Sequence, residues 1–182
     1  EELGGAHTHA SKSGVTHFAC SNEVECIQHI KKLLSYMPQN CEDEAPIYPY
    51  ELGNELREKL DTMIPLNSNM PYDMKEVITE ICDSESFLEV HKDYAENIVV
   101  GFARIAGRSI GVVANQPASM AGVLDNNSSK KGARFVRFCD AFNIPIVSFV
   151  DVPGFLPGKD QEWNGIITHG AKLLYAYAEA TV

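Results

Sequence analysis

Apolar residues in this chain fall either at helical spacing or in short unbroken runs, which predicts an alternation of helices and strands. Ile27, Ile30 and Leu34 repeat at helical spacing, with Asn22 as cap, Glu25 as the second half of a capping box and Pro38 as the stop. That helix is expected to pack through its apolar stripe. A second capping pair, Asp73 and Glu76, opens a helix with apolar positions Val77, Ile78 and Ile81. Residues 87–90 form a short strand candidate, and the runs at 98–103 and 110–114, either side of Gly107, predict a β-hairpin. Phe135, Phe138, Cys139 and Phe142 share one face of a helix over residues 133–142, and this stripe reads as core. Ile146-Val147-Ser148-Phe149-Val150 has the pattern of a buried strand, and Ile166, Leu173, Leu174 and Tyr177 predict a helix over 164–178.

Between these elements the pattern lapses. Residues 3–14 read as a glycine-containing loop, and residues 39–69, rich in Pro, Asn and acidic side chains, as an inter-domain connection holding at most one short helix. From Ile98 onward the order is strand, strand, helix, strand, loop, helix, which favours an α/β layer with helices covering a sheet. The chain starts without Met and ends on Ala180-Thr181-Val182, directly after a helical pattern, so it reads as an excerpt of a longer protein.

Composition adds exclusions. With 182 residues, 45% hydrophobic and 22% charged, the chain fits an ordinary globular protein of one domain or pieces of two. A formal charge of −10 argues against a nucleic-acid partner, which requires clustered cations. The one basic run, Lys130-Lys131 with Arg134 and Arg137, reads as a solvated helix face, with a small-anion contact as the other possibility. Cysteines at 20, 26, 41, 82 and 139 form no Cys-x-x-Cys pair, which suits a reducing compartment better than a disulfide framework or zinc site. No apolar run approaches the ~20 residues that span a bilayer, so direct membrane insertion is not expected.

Candidate chemistry concentrates after the 146–150 strand, because ligands of α/β layers gather beyond the carboxyl ends of strands. Gly154 and Gly158 allow close backbone approach, Pro153 and Pro157 stiffen the loop, and the following helix offers free N–H groups to an anion or polarised carbonyl. The stretch Gly154-Phe155-Leu156-Pro157-Gly158-Lys159-Asp160 is not a P-loop: it is one residue short between its glycines and ends in Asp where Ser or Thr is needed. Asp151, Glu162 and His169 can be written as an acid–base set and His7-x-His9 as half a metal site, but helix capping and local hydrogen bonding explain the same residues. No Gly-x-Ser-x-Gly elbow occurs.

Seven segments, in order, resemble the carboxyltransferase subunits of biotin-dependent acyl-CoA carboxylases and decarboxylases. They are Glu2-Leu3-Gly4-Gly5-Ala6-His7-Thr8-His9 with Ser13-Gly14; Leu33-Leu34-Ser35-Tyr36-Met37-Pro38; Asn97-Ile98-Val99-Val100-Gly101-Phe102-Ala103-Arg104; Asn115-Gln116-Pro117; residues 131–145; Asp151-Val152-Pro153-Gly154-Phe155-Leu156-Pro157-Gly158; and residues 169–176. The resemblance implies a crotonase-like α/β fold, with residues 1–45 ending an N-terminal carboxyltransferase domain, 46–72 connecting, and 73–182 opening a C-terminal one. It implies transfer of a carboxyl group between carboxybiotin and the α-carbon of a short acyl-CoA, with propionyl-CoA and methylmalonyl-CoA the leading substrates.

The resemblance also assigns sites and partners. Gly154, Phe155, Leu156, Gly158 and Gly165 should border the biotin, and Gly4, Gly5 and His7 the edge of the acyl-CoA pocket. The family's oxyanion-forming groups fall outside these residues, so the catalytic residues are left unassigned, and no metal is expected here. Biotin would arrive on a carrier protein, beside biotin carboxylase or decarboxylase subunits, and the subunit would be a homo-oligomer with a dimeric active site, expected to be a hexamer. Bacterial cytoplasm or the mitochondrial matrix is the implied location. The alternative is a non-catalytic crotonase-like module that binds acyl-CoA or another subunit; a hydrolase using His169 is a third reading.

Overall fold

Two long antiparallel strands joined at Gly107 form the centre of the computed structural model, which describes residues 2–50, 59–67 and 69–182. The described elements are α1 (Ala6–Thr8), a π-helical turn (His9–Ser13), α2 (Glu23–Leu34), α3 (Leu60–Met63), α4 (Met74–Ile81), β1 (Leu88–Val90), β2 (Ile98–Ile105), β3 (Arg108–Asn115), a 3-10 turn (Met120–Gly122), α5 (Asn126–Ala141), β4 (Ile146–Phe149), α6 (Lys159–Trp163) and α7 (Ile166–Glu179). The strands lie in sequence order, with β1, β2 and β3 antiparallel and β4 parallel to β3. Ala106 and Gly107 take φ of 52° and 74°, the two-residue turn whose twist suits the strands it joins. Asp83 holds that turn, its carboxylate accepting from Ala106 N at 3.0 Å and Gly107 N at 2.7 Å. α5 supplies the crossover that a parallel neighbour requires.

Alternate residues of β2 and β3 serve two separate cores. Val100, Phe102 and Val113 face Phe135, Val136 and Cys139 of α5 and Leu173 of α7, whereas Val99, Ala103, Val112 and Ala114 face Met74, Val77 and Ile78 of α4. Both faces are covered, so the strands are apolar throughout instead of alternating. Where α5 crosses β3 only a glycine fits: a Cβ on Gly111 would lie 2.4 Å from Cys139 Sγ. Burial in that contact pushes the Cys139 thiol up to about 12.

The first segment joins the core through Phe18 and through residues 33–37. Tyr36 is fully buried and donates its hydroxyl to Ser86 O, while Phe18, Leu33 and Met37 pack on the α5 side. Arg104 fastens it further, with its guanidinium carbon 4.1 Å from the ring centres of both Tyr36 and Tyr48 and its NH2 donating to Ser35 O at 3.0 Å.

Several expectations change. The stripe of α2 is largely uncovered among the described residues: Ile27, Ile30 and Leu34 are 53%, 50% and 59% exposed. Asn22 caps α2 as expected, but Glu25 reaches back to Ser21 N at 2.8 Å, one residue before the cap. Asp73 caps α4 through Lys75 N at 2.9 Å, and its carboxylate is shared with Gln116 Nε2 at 2.6 Å instead of closing a box. Residues 6–13, expected as loop, are helical. α5 begins at Asn126, well before Ala133, because Asp125 and Ser128 form a full capping box that admits the polar run 126–129. β4 lies at the sheet edge and is half-buried at most, with Ser148 exposed. The helix expected over 164–178 is present as α7, starting two residues later at Ile166 because Gly165, with a φ of 83°, separates it from α6, a short helix that was not expected. Of the possible short helix in the connection, residues 51–58 lie outside the described residues and Leu60–Met63 is helical.

The basic run also divides. Lys130, Arg134 and Arg137 are exposed, but Lys131 is 3% exposed and its Nζ donates to His91 O at 3.0 Å, Tyr94 O at 2.7 Å and Ala95 O at 3.2 Å. An ammonium has three donors, and here all three are used. Burial lowers this lysine to about 8.

Candidate functional site

The loop 151–165 leaves the carboxyl end of β4 and is fixed at both ends and in the middle. Leu124 N donates to Gly154 O at 3.0 Å and Leu156 N to Leu124 O at 2.8 Å, a short parallel bridge that straps the loop to the entry of α5. At its start, Asp151 accepts from Tyr72 Oη at 2.7 Å, and Asp151 N donates to Asn115 Oδ1 at 3.3 Å. Burial, followed by that carboxylate, pushes the Tyr72 hydroxyl up to about 12, so it stays a donor. Near the far end, Asn126 N donates to Gln161 Oε1 at 3.0 Å and Asn126 Nδ2 to Gln161 O at 3.1 Å.

Between these anchors the loop offers backbone. Gly154 and Gly158 both have φ of 139°, a conformation that side chains rarely adopt, and a Cβ built on either meets nothing within 4 Å. Conformation, not crowding, demands glycine there, and a flat ligand can come close to the main chain. Phe155 is 46% exposed and rests on α7, where a Cβ on Gly170 would lie 2.8 Å from its Cε1. Gly165 precedes α7 with no side-chain cap, which leaves the first N–H groups of a 14-residue helix for an acceptor. The arrangement can seat a polar, uncharged or anionic group against main chain, with an aromatic ring beside it.

The acid–base set is not assembled. Asp151 bonds Tyr72, the Glu162 main chain serves the α6 turn, and His169 Nδ1 lies 3.4 Å from Lys172 Nζ. Partial burial, then Lys172 and Lys130, lowers the His169 imidazole. The hydrogen bonds of Gly5 and His7 are local. Gly5 O accepts from His9 N at 3.1 Å, and His7 O from Ser11 Oγ at 2.7 Å. Among the described residues no group of three or more His, Cys, Asp or Glu could hold a metal ion, and His9 Nδ1 instead meets Ser13 Oγ at 2.9 Å.

Four supporting residues escaped the sequence: Tyr72, Leu124, Gln161 and Gly170. Gly170 carried a readable signal, since glycine inside a helix costs about 1 kcal/mol against Ala and marks a close approach. The other three make contacts 30 to 79 positions away in sequence, as Tyr72 with Asp151 illustrates at |i−j| of 79, and spacing does not announce such pairs.

A family model described as carboxyl transferase domain matches residues 1–182. The chain is 60% identical over its whole length to the biotin-dependent acetyl-/propionyl-coenzyme A carboxylase beta5 subunit of Mycobacterium tuberculosis, covering 34% of that protein. It is 57% identical to the methylmalonyl-CoA decarboxylase subunit alpha of Veillonella parvula, covering 36% of it. The crystal structure of transcarboxylase 12S, described as a hexamer assembly with methylmalonyl-coenzyme A and methylmalonic acid bound, superposes with a TM-score of 0.97 at 50% identity over all of this chain and 35% of that one. The chain therefore spans about a third of the length of the curated relatives it matches.

Proposed function

This chain belongs to the carboxyl transferase domain family, and on that premise we propose that it forms part of a biotin-dependent acyl-CoA carboxyltransferase. The reaction would move a carboxyl group between carboxybiotin and the α-carbon of a short acyl-CoA, propionyl-CoA or methylmalonyl-CoA. The observation that carries this reading is the match over all of the chain at 57% and 60% identity to subunits named for that chemistry. Its α/β fold is crotonase-like, as in the transcarboxylase neighbour.

The loop geometry fits a biotin ring. Gly154 and Gly158 leave the main chain open, Phe155 and Leu156 offer apolar surface, and the turn at Gly165 presents the start of α7. When bound, biotin supplies a carboxyl group held on a ureido nitrogen. The part played by this chain is to bind and orient: the Leu124 strap fixes the loop, Gly170 seats Phe155, and unpaired N–H groups at the α7 start face an acceptor oxygen. Gly4, Gly5 and His7 would stand at the edge of the acyl-CoA pocket.

The same reading divides the chain into the end of one carboxyltransferase domain (1–45), a connection (46–72) and the start of a second (73–182). Biotin would arrive on a carrier protein shared with biotin carboxylase or decarboxylase subunits, and the hexameric neighbour supports a homo-oligomer. Work in the bacterial cytoplasm or mitochondrial matrix goes with this reading; among the described residues no helix is long and apolar enough to cross a membrane.

The test is carboxyl exchange between methylmalonyl-CoA and free biotin. The intact subunit should catalyse it and residues 1–182 alone should not; an intact subunit inactive with both malonyl- and methylmalonyl-CoA would overturn the reading.

A further inference from the structure

Cys20 and Cys26, both free thiols, stand on either side of the turn that opens α2. Cys20 lies two residues before the cap Asn22 and Cys26 is the fourth residue of the helix, close to the spacing at which a hydrophobic staple meets across a helix start. Their side chains are within hydrogen-bonding reach of each other. The turn between them is closed by reciprocal bonds: Glu25 N donates to Asn22 Oδ1 at 2.9 Å and Cys26 N to Asn22 O at 3.1 Å, while Ser21 N and Ser21 Oγ donate to Glu25 Oε2 at 2.8 Å and 2.5 Å. This local clamp holds the two sulfurs on the same side of the helix start.

The surroundings of the two thiols differ. Cys26 is exposed, whereas Cys20 is half-buried, with His29 Nδ1 3.9 Å from its Sγ. That nitrogen also meets Glu25 O at 3.1 Å, and because a carbonyl only accepts, it carries its hydrogen there, beside the Cys20 sulfur. Partial burial, then Cys26 and Glu25, hold the Cys20 thiol above the usual cysteine range. Cys26 therefore meets an oxidant first, and Cys20 waits beside it as a protonated thiol.

We propose that Cys20 and Cys26 form a reversible redox pair, which closes to a disulfide when the protein meets a peroxide. In the first step the Cys26 thiolate attacks one peroxide oxygen, the O–O bond breaks, and Cys26 becomes a sulfenic acid while the other oxygen takes up a proton and leaves as water or an alcohol. In the second, the Cys20 sulfur attacks the Cys26 sulfur, the S–O bond breaks, and hydroxide departs with the Cys20 thiol proton as water. The two thiols lose two electrons and the peroxide gains them. The sulfurs must close to about 2 Å, a movement of side chains across a turn already shut. A thiol reductant reverses the bond, which suits a reducing compartment where disulfides are transient.

The test uses the intact subunit. Residues 13–31 lie between two tryptic sites, after Lys12 and after Lys31, so one peptide carries both cysteines and none of the other three. After hydrogen peroxide treatment and blocking with iodoacetamide in urea, that peptide should appear unblocked and lighter by two hydrogens, and dithiothreitol should restore it. In a glutathione redox buffer, the equilibrium constant for closing the pair should be about tenfold or more greater in the folded subunit than in urea. Glu25→Ala, which opens the clamp, should lower the folded value by about threefold or more. Cys20→Ser should leave Cys26 as a sulfenic acid that dimedone traps. A peptide 13–31 that stays fully blockable after peroxide overturns the proposal. So does a closing constant no greater in the folded subunit than in urea.

Discussion

α5 and α2 carry similar signals in sequence and opposite fates in the fold. Both have apolar residues at helical spacing and polar caps, yet Phe135, Val136 and Cys139 of α5 are buried against β2 and β3, whereas Ile27, Ile30 and Leu34 of α2 are half exposed or more. The difference lies in the neighbour. α5 is tethered to β3 and β4 and must return across the sheet face, while among the described residues α2 meets that core through Leu33, with Tyr36 and Met37 packing just beyond its end. Periodicity identifies the face that can be buried; chain connectivity decides what is available to bury it.

The largest effect that would sharpen this contrast comes from truncating the buried stripe. Phe135→Ala should cost about 3–5 kcal/mol, and Ile30→Ala in α2 less than about 1 kcal/mol, compared by urea unfolding of the same chain. Equal losses would break the comparison.

Next is acid sensitivity of the loop that α5 grips through Lys131. His91 has a folded-state value near 4 against 6.5 when unfolded, so between these limits the unfolded chain binds more protons. The stability it contributes is complete above pH 6.5 and lost as pH falls towards 4, by about 2–3 kcal/mol. His91→Phe should flatten the unfolding free energy over that window.

A smaller effect belongs to the loop contact. Gly170→Ala places a methyl group against the Phe155 ring and should cost about 1–3 kcal/mol, with increased proteolysis within 151–165 as the sign that the loop has lifted. The smallest is Asn22→Ala, which removes the α2 cap for about 1 kcal/mol and should leave thermal unfolding of the α5 core almost unchanged, as judged by near-ultraviolet dichroism.

Local chemistry made much of the fold legible. Gly107 between two apolar runs specified the hairpin, and the 135–142 aromatic stripe specified a core helix, because each rests on neighbours in sequence. What failed depended on distant partners. Lys131 sits in a run that reads as solvated, and only the left-handed turns at His91 and Ala95 bring three carbonyls to its ammonium. The edge position of β4 is likewise a fact of topology that its apolar run cannot express. At the candidate site, Gly154 and Gly158 are legible as backbone positions, but Leu124 and Gln161, which strap their loop to the entry of α5, are not.

The most direct measurement is a steady-state comparison of Gly158→Ala with wild type in the intact subunit, following carboxyl exchange between methylmalonyl-CoA and free biotin. A Cβ there meets nothing within 4 Å among the described residues but strains the φ of 139°, and on the proposed function it stands in the way of a ring against the loop. The account predicts a KM for biotin raised about fivefold or more, with the KM for methylmalonyl-CoA within about twofold of wild type. An unchanged KM for biotin beside a raised KM for the acyl-CoA would contradict it.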